Sequence, residues 1–181
     1  MEGVTTILQE PHVALVKQAW QELEEICGVK GIQAFPTPHF SWHIAQNYHR
    51  ACLWERLQAF CQSAQPFTVR TGGLGIFSGE KIVVNIALVK DQTLLAFHRA
   101  VWDLCERCAS QSFPHYAPDK WMPHITLAIE DVFPENIGCV VEHLVVQRFS
   151  WELVINNLAL ITEVEEYREE NLLRIDFGDC R

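Results

Sequence analysis

Two four-residue segments of this 181-residue chain repeat each other, and the repeat limits the folds that the chain can adopt. The tetrads His39–Trp42 (HFSW) and His124–Leu127 (HITL) each follow a proline and lie 85 residues apart. The blocks 67–76 and 151–160 also match, at an offset of 84 residues. Matching segments at nearly one offset are typical of a duplicated structural unit. We therefore expect two halves of about 80–90 residues that pack together around a pseudo-twofold axis, since each half alone would bury only a marginal core.

Secondary-structure patterns recur in the same order. Apolar residues at helical spacing predict four helices, over residues 11–27, 49–63, 92–109 and 135–147. Runs of β-branched and aromatic residues predict seven strands: Val4–Leu8, His39–Ala45, Phe67–Phe77, Lys81–Val89, Pro123–Ile129, Trp151–Glu163 and Leu172–Phe177. This mixture of strands and helices throughout the chain excludes a helical bundle and a β-sandwich. The repeat also matches Trp20 with Trp102, and the strand 81–88 with the last strand.

The tetrads carry residue types suited to chemistry at phosphorus. In a strand, residues i and i+2 point to the same face, so His39 and Ser41 share one face, as do His124 and Thr126. An imidazole titrates near neutral pH, so one histidine can accept a proton while the other donates one. A hydroxyl two residues further on offers a donor to a phosphate oxygen. A single His-x-Ser or His-x-Thr is common and is usually structural, but two at the repeat offset favour a shared catalytic site.

With these motifs, the sequence resembles the two-histidine (2H) phosphoesterase superfamily, in particular the LigT-like branch called the 2′-5′ RNA ligase family. That family carries two motifs of histidine, apolar residue, serine or threonine, and apolar residue, about 80–90 residues apart, and the resemblance covers most of the chain. Gly73–Phe77 is similar to the family's glycine-containing strand, and its glycines indicate a bulge or a close backbone approach. The first motif has Ser41 where threonine is commoner.

The resemblance implies an α+β fold of two pseudo-symmetric lobes in a single domain over residues 1–181, with a cleft between two antiparallel sheets and helices outside. It implies an enzyme that opens a 2′,3′-cyclic phosphate on a nucleotide or an RNA end to a 2′-phosphate without a metal. Some members act instead on other cyclic or 2′-5′-linked phosphates. His39 would donate a proton to the leaving oxygen, His124 would activate water, and Ser41 and Thr126 would hold the non-bridging oxygens. A pseudo-symmetric site also allows the two histidines to exchange these roles.

Five other residues are candidates for substrate binding. Arg70 could meet a phosphate or form a cross-strand salt bridge. His43 lies two residues beyond Ser41, so it could line the cleft or cap the strand end. Tyr116 and Trp121 precede the second motif and could stack on a base, and Lys120 between them could sit near phosphate.

Two other classes of function compete with the enzyme. The same fold could bind a nucleotide or an RNA end without turnover, or the acidic stretch Glu163–Glu170, which reads as a solvated loop, could serve an adaptor protein. Neither a GxxxxGK[ST] nor a GxGxxG sequence is present, so use of ATP or a dinucleotide has no support, and we expect no cofactor. The histidines show no metal-site spacing, and the CxxC at Cys105–Cys108 is interpreted as core packing.

The charge and the cysteines narrow the partners and the compartment. The net charge of −9 excludes a protein that coats long duplex nucleic acid, although a local phosphate site is compatible with it. No apolar stretch reaches 18 residues and no signal peptide is visible, so we expect no membrane span. Seven cysteines, an odd number, favour a reduced, cytoplasmic protein over a disulfide framework. We expect a monomer.

Overall fold

The computed structural model describes residues 1–34, 36–162 and 173–178. Its α-helices are α1 (His12–Cys27), α2 (Arg50–Ser63), α3 (Gln92–Glu106) and α4 (Ile137–Val145), with short 3-10 helices at Gly31–Ala34 and Pro114–Tyr116. Its strands are β1 (Glu2–Ile7), β2 (His39–Tyr48), β3 (Phe67–Phe77), β4 (Val83–Leu88), β5 (Ala109–Ser112), β6 (His124–Ala128), β7 (Glu152–Ile155), β8 (Asn157–Thr162) and β9 (Leu173–Asp176). Each of the four predicted helices is present, with ends shifted by three residues or fewer.

The strands form two antiparallel sheets, and each sheet contains one of the motif strands. The first sheet has the order β5-β2-β1-β8-β9, and the second has the order β6-β4-β3-β7. Helices α2 and α3 pack against strands of the first sheet, while α1 packs against β6 of the second. This architecture confirms the predicted α+β fold class with two antiparallel sheets.

The pairing of β3 with β7 relates the two halves of the chain. Val69 lies opposite Leu153, its own counterpart at the offset of 84 residues. Beyond the last ladder pair, Thr71 N–H donates to the Trp151 carbonyl at 3.0 Å, and Trp151 N–H donates to Thr71 Oγ1 at 2.7 Å. Pairs on either side of Val69 and Leu153 therefore mirror each other, as they would around a local twofold axis.

One predicted equivalence is wrong. The strand 81–88 was matched with the last strand of the chain, but β4 lies inside its sheet, between β3 and the motif strand β6. β9 lies at the edge of the other sheet, whereas β1 lies inside that sheet, between motif strand β2 and β8. The counterpart of β4 is therefore β1. The prediction matched β4 with β9 because their sequences are similar. The neighbours of a strand in a sheet depend instead on tertiary pairing, which a local comparison of sequences does not show.

Two element boundaries also differ from the prediction. The third helix ends at Glu106 rather than at residue 109, and Ala109–Ser112 forms β5, with Ser112 opposite Ala45. The buried Cys108 extended the apolar helical pattern past the end of the helix. The run 151–163 divides at Asn156, which separates β7 in one sheet from β8 in the other.

Glycines in β3 occur where the backbone requires them. Gly73 has φ +100°, in a region that favours glycine, and it lies where the register with β4 shifts. A Cβ on Gly75 would come within 2.8 Å of Asn85 Oδ1. Both the predicted bulge and the predicted close approach are therefore found in this strand.

The cysteines form two disulfides, so the prediction of a reduced protein rather than a disulfide framework is wrong. Cys27 at the end of α1 bonds Cys139 in α4, and Cys52 in α2 bonds Cys108 just after α3. Cys61 and Cys105 are buried and unbonded. The odd total of cysteines argued against a disulfide framework. The bonded cysteines lie 112 and 56 residues apart in the chain, so no local spacing indicated the two pairs. The predicted CxxC therefore contributes Cys108 to a disulfide and Cys105 to the core.

No helix among the described residues is long and apolar enough to cross a membrane. The acidic stretch predicted as a solvated loop, residues 163–170, lies outside the described residues.

Candidate active site

Both motif strands shift register with a neighbouring strand at the same point of the motif. Between β1 and β2, Thr5 faces Ser41 while Val4 faces His43, so Trp42 is an extra residue in the strand. Such an extra residue is a β-bulge, which interrupts the ladder and reverses the alternation of side chains.

The second motif strand has the matching irregularity. Between β4 and β6, Asn85 faces Thr126 while Val84 faces Ala128, so Leu127 is the extra residue. In both strands the bulge directly follows the hydroxyl residue of the motif. The two motif strands therefore match in this distortion of the backbone as well as in their side chains.

The polar residues of the two motifs line one cleft. Its volume is about 500 Å³, and its walls include His39 and Ser41 from β2 together with His124 and Thr126 from β6. The apolar residues that alternate with them are at most 1% exposed and pack in the core: Phe40, Trp42, Ile125 and Leu127. Strand alternation before the bulge thus brings the two motifs to one cavity, with their apolar residues in the core.

The two imidazoles are held in the same way. His39 Nδ1 lies 2.7 Å from the Thr37 carbonyl, and His124 Nδ1 lies 2.7 Å from the Met122 carbonyl. A carbonyl can only accept a hydrogen bond, so in the neutral ring Nδ1 carries the proton. Nε2 is then the nitrogen that gains or loses a proton in each ring.

The surroundings of His124 shift its ionisation. Burial lowers the pKa of His124 because the charged ring loses hydration, the Met122 carbonyl opposes this shift, and the charge of His39 lowers the pKa further. The ring of Phe77 also meets the His124 ring edge-on, with 4.8 Å between centroids. These surroundings favour a neutral His124, which can accept a proton.

Three cleft residues contact the motifs, and the sequence interpretation missed two of them, Phe77 and Trp20. Phe77 lies at the end of β3 and contacts the ring of His124, while Trp20 and Trp121 donate indole hydrogen bonds to motif carbonyls. Trp121 was predicted, but in another role. The position of Phe77 at the end of the glycine-containing strand was a usable signal. Trp20 was matched with Trp102 only as a part of the repeat, and no role at the site was predicted for it. The ring of Trp102 packs on His43, with 4.5 Å between centroids.

Three of the predicted substrate-binding residues line the cleft, and Lys120 and Tyr116 offer polar groups to it. Lys120 is exposed at its wall, and Tyr116 is half-buried there. Burial raises the pKa of Tyr116 to about 12, so its hydroxyl stays protonated at neutral pH. These two side chains can offer a cation and a hydrogen-bond donor to a ligand.

His43 does not line the cleft, and the inference that it shares a face with Ser41 is wrong. The bulge at Trp42 reverses the alternation, so His43 is 0% exposed on the core side. Its Nδ1 lies 2.5 Å from Tyr48 Oη, and its Nε2 lies 3.0 Å from Glu106 Oε1.

Trp121 and Arg70 also differ from their predicted roles. The Trp121 ring is 1% exposed and stacks on His98, with 3.8 Å between centroids and 3° between planes, so it offers no open face to a base. Arg70 lies opposite Glu152 in the ladder of β3 and β7, outside the cleft lining. Arg70 lies outside the cleft because only the end of β3 near Phe77 reaches the cleft.

Among the described residues, no group of three or more His, Cys, Asp or Glu side chains is arranged to hold a metal ion.

The family model of the 2'-5' RNA ligase superfamily matches residues 10–166 of the sequence. The chain belongs to this superfamily. Its members are two-histidine phosphoesterases or ligases. Among curated proteins, none matches the sequence.

Solved structures share the fold along almost the whole chain. The protein TT0787 of Thermus thermophilus has a TM-score of 0.69 at 16% identity, covering 98% of this chain and 97% of that one. Escherichia coli LigT complexed with NADP+ has a TM-score of 0.58 at 14% identity, with coverage of 98% and 97%. Kluyveromyces marxianus Usb1 has a TM-score of 0.52 at 8% identity, with 97% of each chain covered. At these identities the likeness is one of fold.

Proposed function

We propose that this protein is a cyclic phosphodiesterase that hydrolyses a 2′,3′-cyclic phosphate, or a related cyclic or 2′-5′ phosphodiester, on a nucleotide or at an RNA end. The observation that carries the proposal is the meeting of two motifs in one cleft, with both imidazoles held by the same Nδ1 contact. The superfamily supplies the reaction class, because its members act on phosphate esters.

The proposed proton transfers start from the surroundings of His124, which favour its neutral form. Neutral His124 takes a proton from water through Nε2 as the water oxygen bonds to phosphorus. Protonated His39 gives its proton to the ribose 3′ oxygen as the bond from phosphorus to that oxygen breaks. The product is a 2′-phosphate, and exchange with solvent restores both rings. The lowered pKa of His124 supports its role as the base.

The hydroxyls of Ser41 and Thr126 have the proposed role of donating hydrogen bonds to the two non-bridging oxygens. These oxygens gain negative charge as water adds, so donors placed in advance stabilise the transition state. Lys120 lies on the cleft wall and could balance part of the remaining charge, while Tyr116 could contact the nucleoside. E. coli LigT shares the fold and was solved with a nucleotide, NADP+, which agrees with the proposed ligand class. A monomeric, cytoplasmic enzyme without a cofactor stays a prediction.

Hydrolysis of 2′,3′-cyclic nucleotides in the presence of EDTA tests this proposal directly. We expect the wild type to release the 2′-monophosphate, and we expect His39→Ala and His124→Ala each to lose about 10²–10⁴-fold in turnover. The matched control is His143→Ala, because His143 lies away from the cleft and contacts Glu22 at 2.9 Å. It should keep full activity.

Two outcomes would contradict the proposal. Full activity in either motif variant would exclude acid–base catalysis by the two histidines. Tight binding of the nucleotide by the wild type without any turnover would instead establish the non-catalytic binding module.

A further inference from the structure

Two tryptophans outside the motifs contact the motif backbones in matched positions. Trp20 Nε1–H donates to the Thr126 carbonyl at 3.1 Å, and Trp121 Nε1–H donates to the Ser41 carbonyl at 2.9 Å. Each carbonyl belongs to a hydroxyl residue of the cleft and lies directly before a bulge. In each motif, an indole N–H thus donates to the carbonyl of the hydroxyl residue.

The bulges explain why a donor is needed there. A bulge interrupts the ladder, and a buried carbonyl without a partner costs free energy. On the other side of β2, the pairing with β5 begins only at Ala45. Among the described strands, β6 lies at the edge of its sheet, beside β4 alone. An indole N–H from outside each sheet supplies a donor at the point where the ladder shifts.

The two hydrogen bonds cross between the halves of the molecule. Trp20 comes from α1 in the first half and contacts the second motif, 106 residues away. Trp121 comes from the second half and contacts the first motif, 80 residues away. Each hydroxyl residue is therefore tied to the opposite half of the chain, and the two bonds together fix one motif relative to the other.

Both indoles are buried. Trp20 is 7% exposed and Trp121 is 1% exposed. The Trp121 ring stacks on His98, and its own carbonyl accepts a hydrogen bond from Lys90 Nζ at 2.7 Å. A small movement of either indole would shift the peptide plane that follows its hydroxyl residue.

We propose that Trp20 and Trp121 are positioning residues that hold the hydroxyls of Thr126 and Ser41 at the separation that one phosphate group requires. This inference rests on the proposed function, because it assumes that both hydroxyls bind the same phosphate. The indoles act through the backbone of the motif strands.

Phenylalanine substitutions test the proposal because they keep a large apolar ring and remove only the donor. We expect Trp20→Phe and Trp121→Phe each to lower kcat/KM for a 2′,3′-cyclic nucleotide about tenfold, the effect of one lost hydrogen bond. The affinity for inorganic phosphate, measured by calorimetry, should fall by a similar factor. The matched control is Trp151→Phe, because Trp151 Nε1 donates to the Arg148 carbonyl at 3.1 Å outside the cleft. It should change neither quantity, and urea unfolding should show that all three variants are folded.

Double variants separate positioning from general stability. If Trp121 acts through the Ser41 hydroxyl, Trp121→Phe should have no further effect on phosphate affinity in Ser41→Ala. In Thr126→Ala, the same substitution should keep its full effect. Trp20→Phe should likewise have no further effect in Thr126→Ala and should keep its full effect in Ser41→Ala. Equal losses in both backgrounds, or losses equal to those of Trp151→Phe, would overturn the inference.

Failure of the proposed function would look different. A wild type that binds phosphate without hydrolysing the cyclic nucleotide would contradict the catalytic proposal, while the pattern of phosphate affinities would still decide the role of the indoles. A wild type that neither binds phosphate nor hydrolyses the cyclic nucleotide would overturn both.

Discussion

The two motif strands share a geometry but lie in different surroundings. Both have a bulge after the hydroxyl residue, an imidazole held by a backbone carbonyl, and an indole donor to the carbonyl before the bulge. On the core side, however, the bulge of β2 is followed by His43, while the bulge of β6 is followed by Ala128. In the cleft, Phe77 contacts the His124 ring edge-on. The two motif strands thus carry matched groups, while the residues that follow their bulges on the core side differ.

The largest expected effect separates acid from base through the leaving group. On a cyclic phosphate, His39→Ala and His124→Ala should each lose about 10²–10⁴-fold. On an aryl phosphodiester, whose phenolate leaves without a proton, His39→Ala should retain most of the activity while His124→Ala does not. Initial rates on both substrates measure this difference. If His124→Ala retained the activity on the aryl substrate and His39→Ala did not, His124 would be the acid and His39 the base.

The second effect concerns the core side of β2, where His98 Nε2 lies 3.0 Å from the Trp42 carbonyl. The pKa of His98 is lowered to about 4, mainly by burial, which the backbone hydrogen bonds to Trp42 and Tyr116 oppose and the charges of His43 and Lys90 reinforce. Because the unfolded chain takes this proton near pH 6.5, stability should be lost as the pH falls from 6.5 toward 4, by up to about 3 kcal/mol.

Urea unfolding at pH 7 and pH 4.5 measures this loss. His98→Gln keeps a donor that does not titrate, so its stability should depend less on pH than that of the wild type. Leu127→Val on the core side of β6 should lower stability by about 1 kcal/mol at both pH values and keep the wild-type slope. An unchanged slope in His98→Gln would show that His98 does not cause the loss.

A third comparison tests the two hydroxyls. Ser41→Ala and Thr126→Ala should each lose about 10²-fold in kcat, because each removes one donor to the charge that develops on the phosphate. Ser41→Thr keeps the hydroxyl, adds the methyl group that Thr126 already has, and should stay near the wild-type rate. If Ser41→Thr were as slow as Ser41→Ala, packing rather than hydrogen bonding would explain the requirement at this position.

The smallest effect is the electrostatic influence of one imidazole on the other. The charge of His39 lowers the pKa of His124, so His39→Gln should raise the pKa of His124 toward its ordinary value of 6.5. Titration of the imidazole protons by NMR measures the shift, and His124→Gln identifies the resonance. A pKa that stayed constant would indicate that the two rings do not interact across the cleft.

Much of the fold could be predicted because its signals are local. Helical spacing located α1 to α4, and runs of β-branched residues located most strands, since each pattern depends on neighbours within a few residues. β5 was missed because the four residues Ala109–Ser112 follow the apolar stripe of α3 and form a strand only by pairing with β2. The match of β4 with β9 failed for the same reason, since strand neighbours are long-range contacts.

The sequence alone determined that His39, Ser41, His124 and Thr126 form two equal motifs, because alternation in a strand is a property of consecutive residues. Only the tertiary structure decided which other side chains join them. The bulge that turns His43 into the core depends on pairing between β1 and β2. The crossed indole bonds of Trp20 and Trp121 join residues 106 and 80 positions apart. Such contacts arise from packing between distant segments, which no local pattern records.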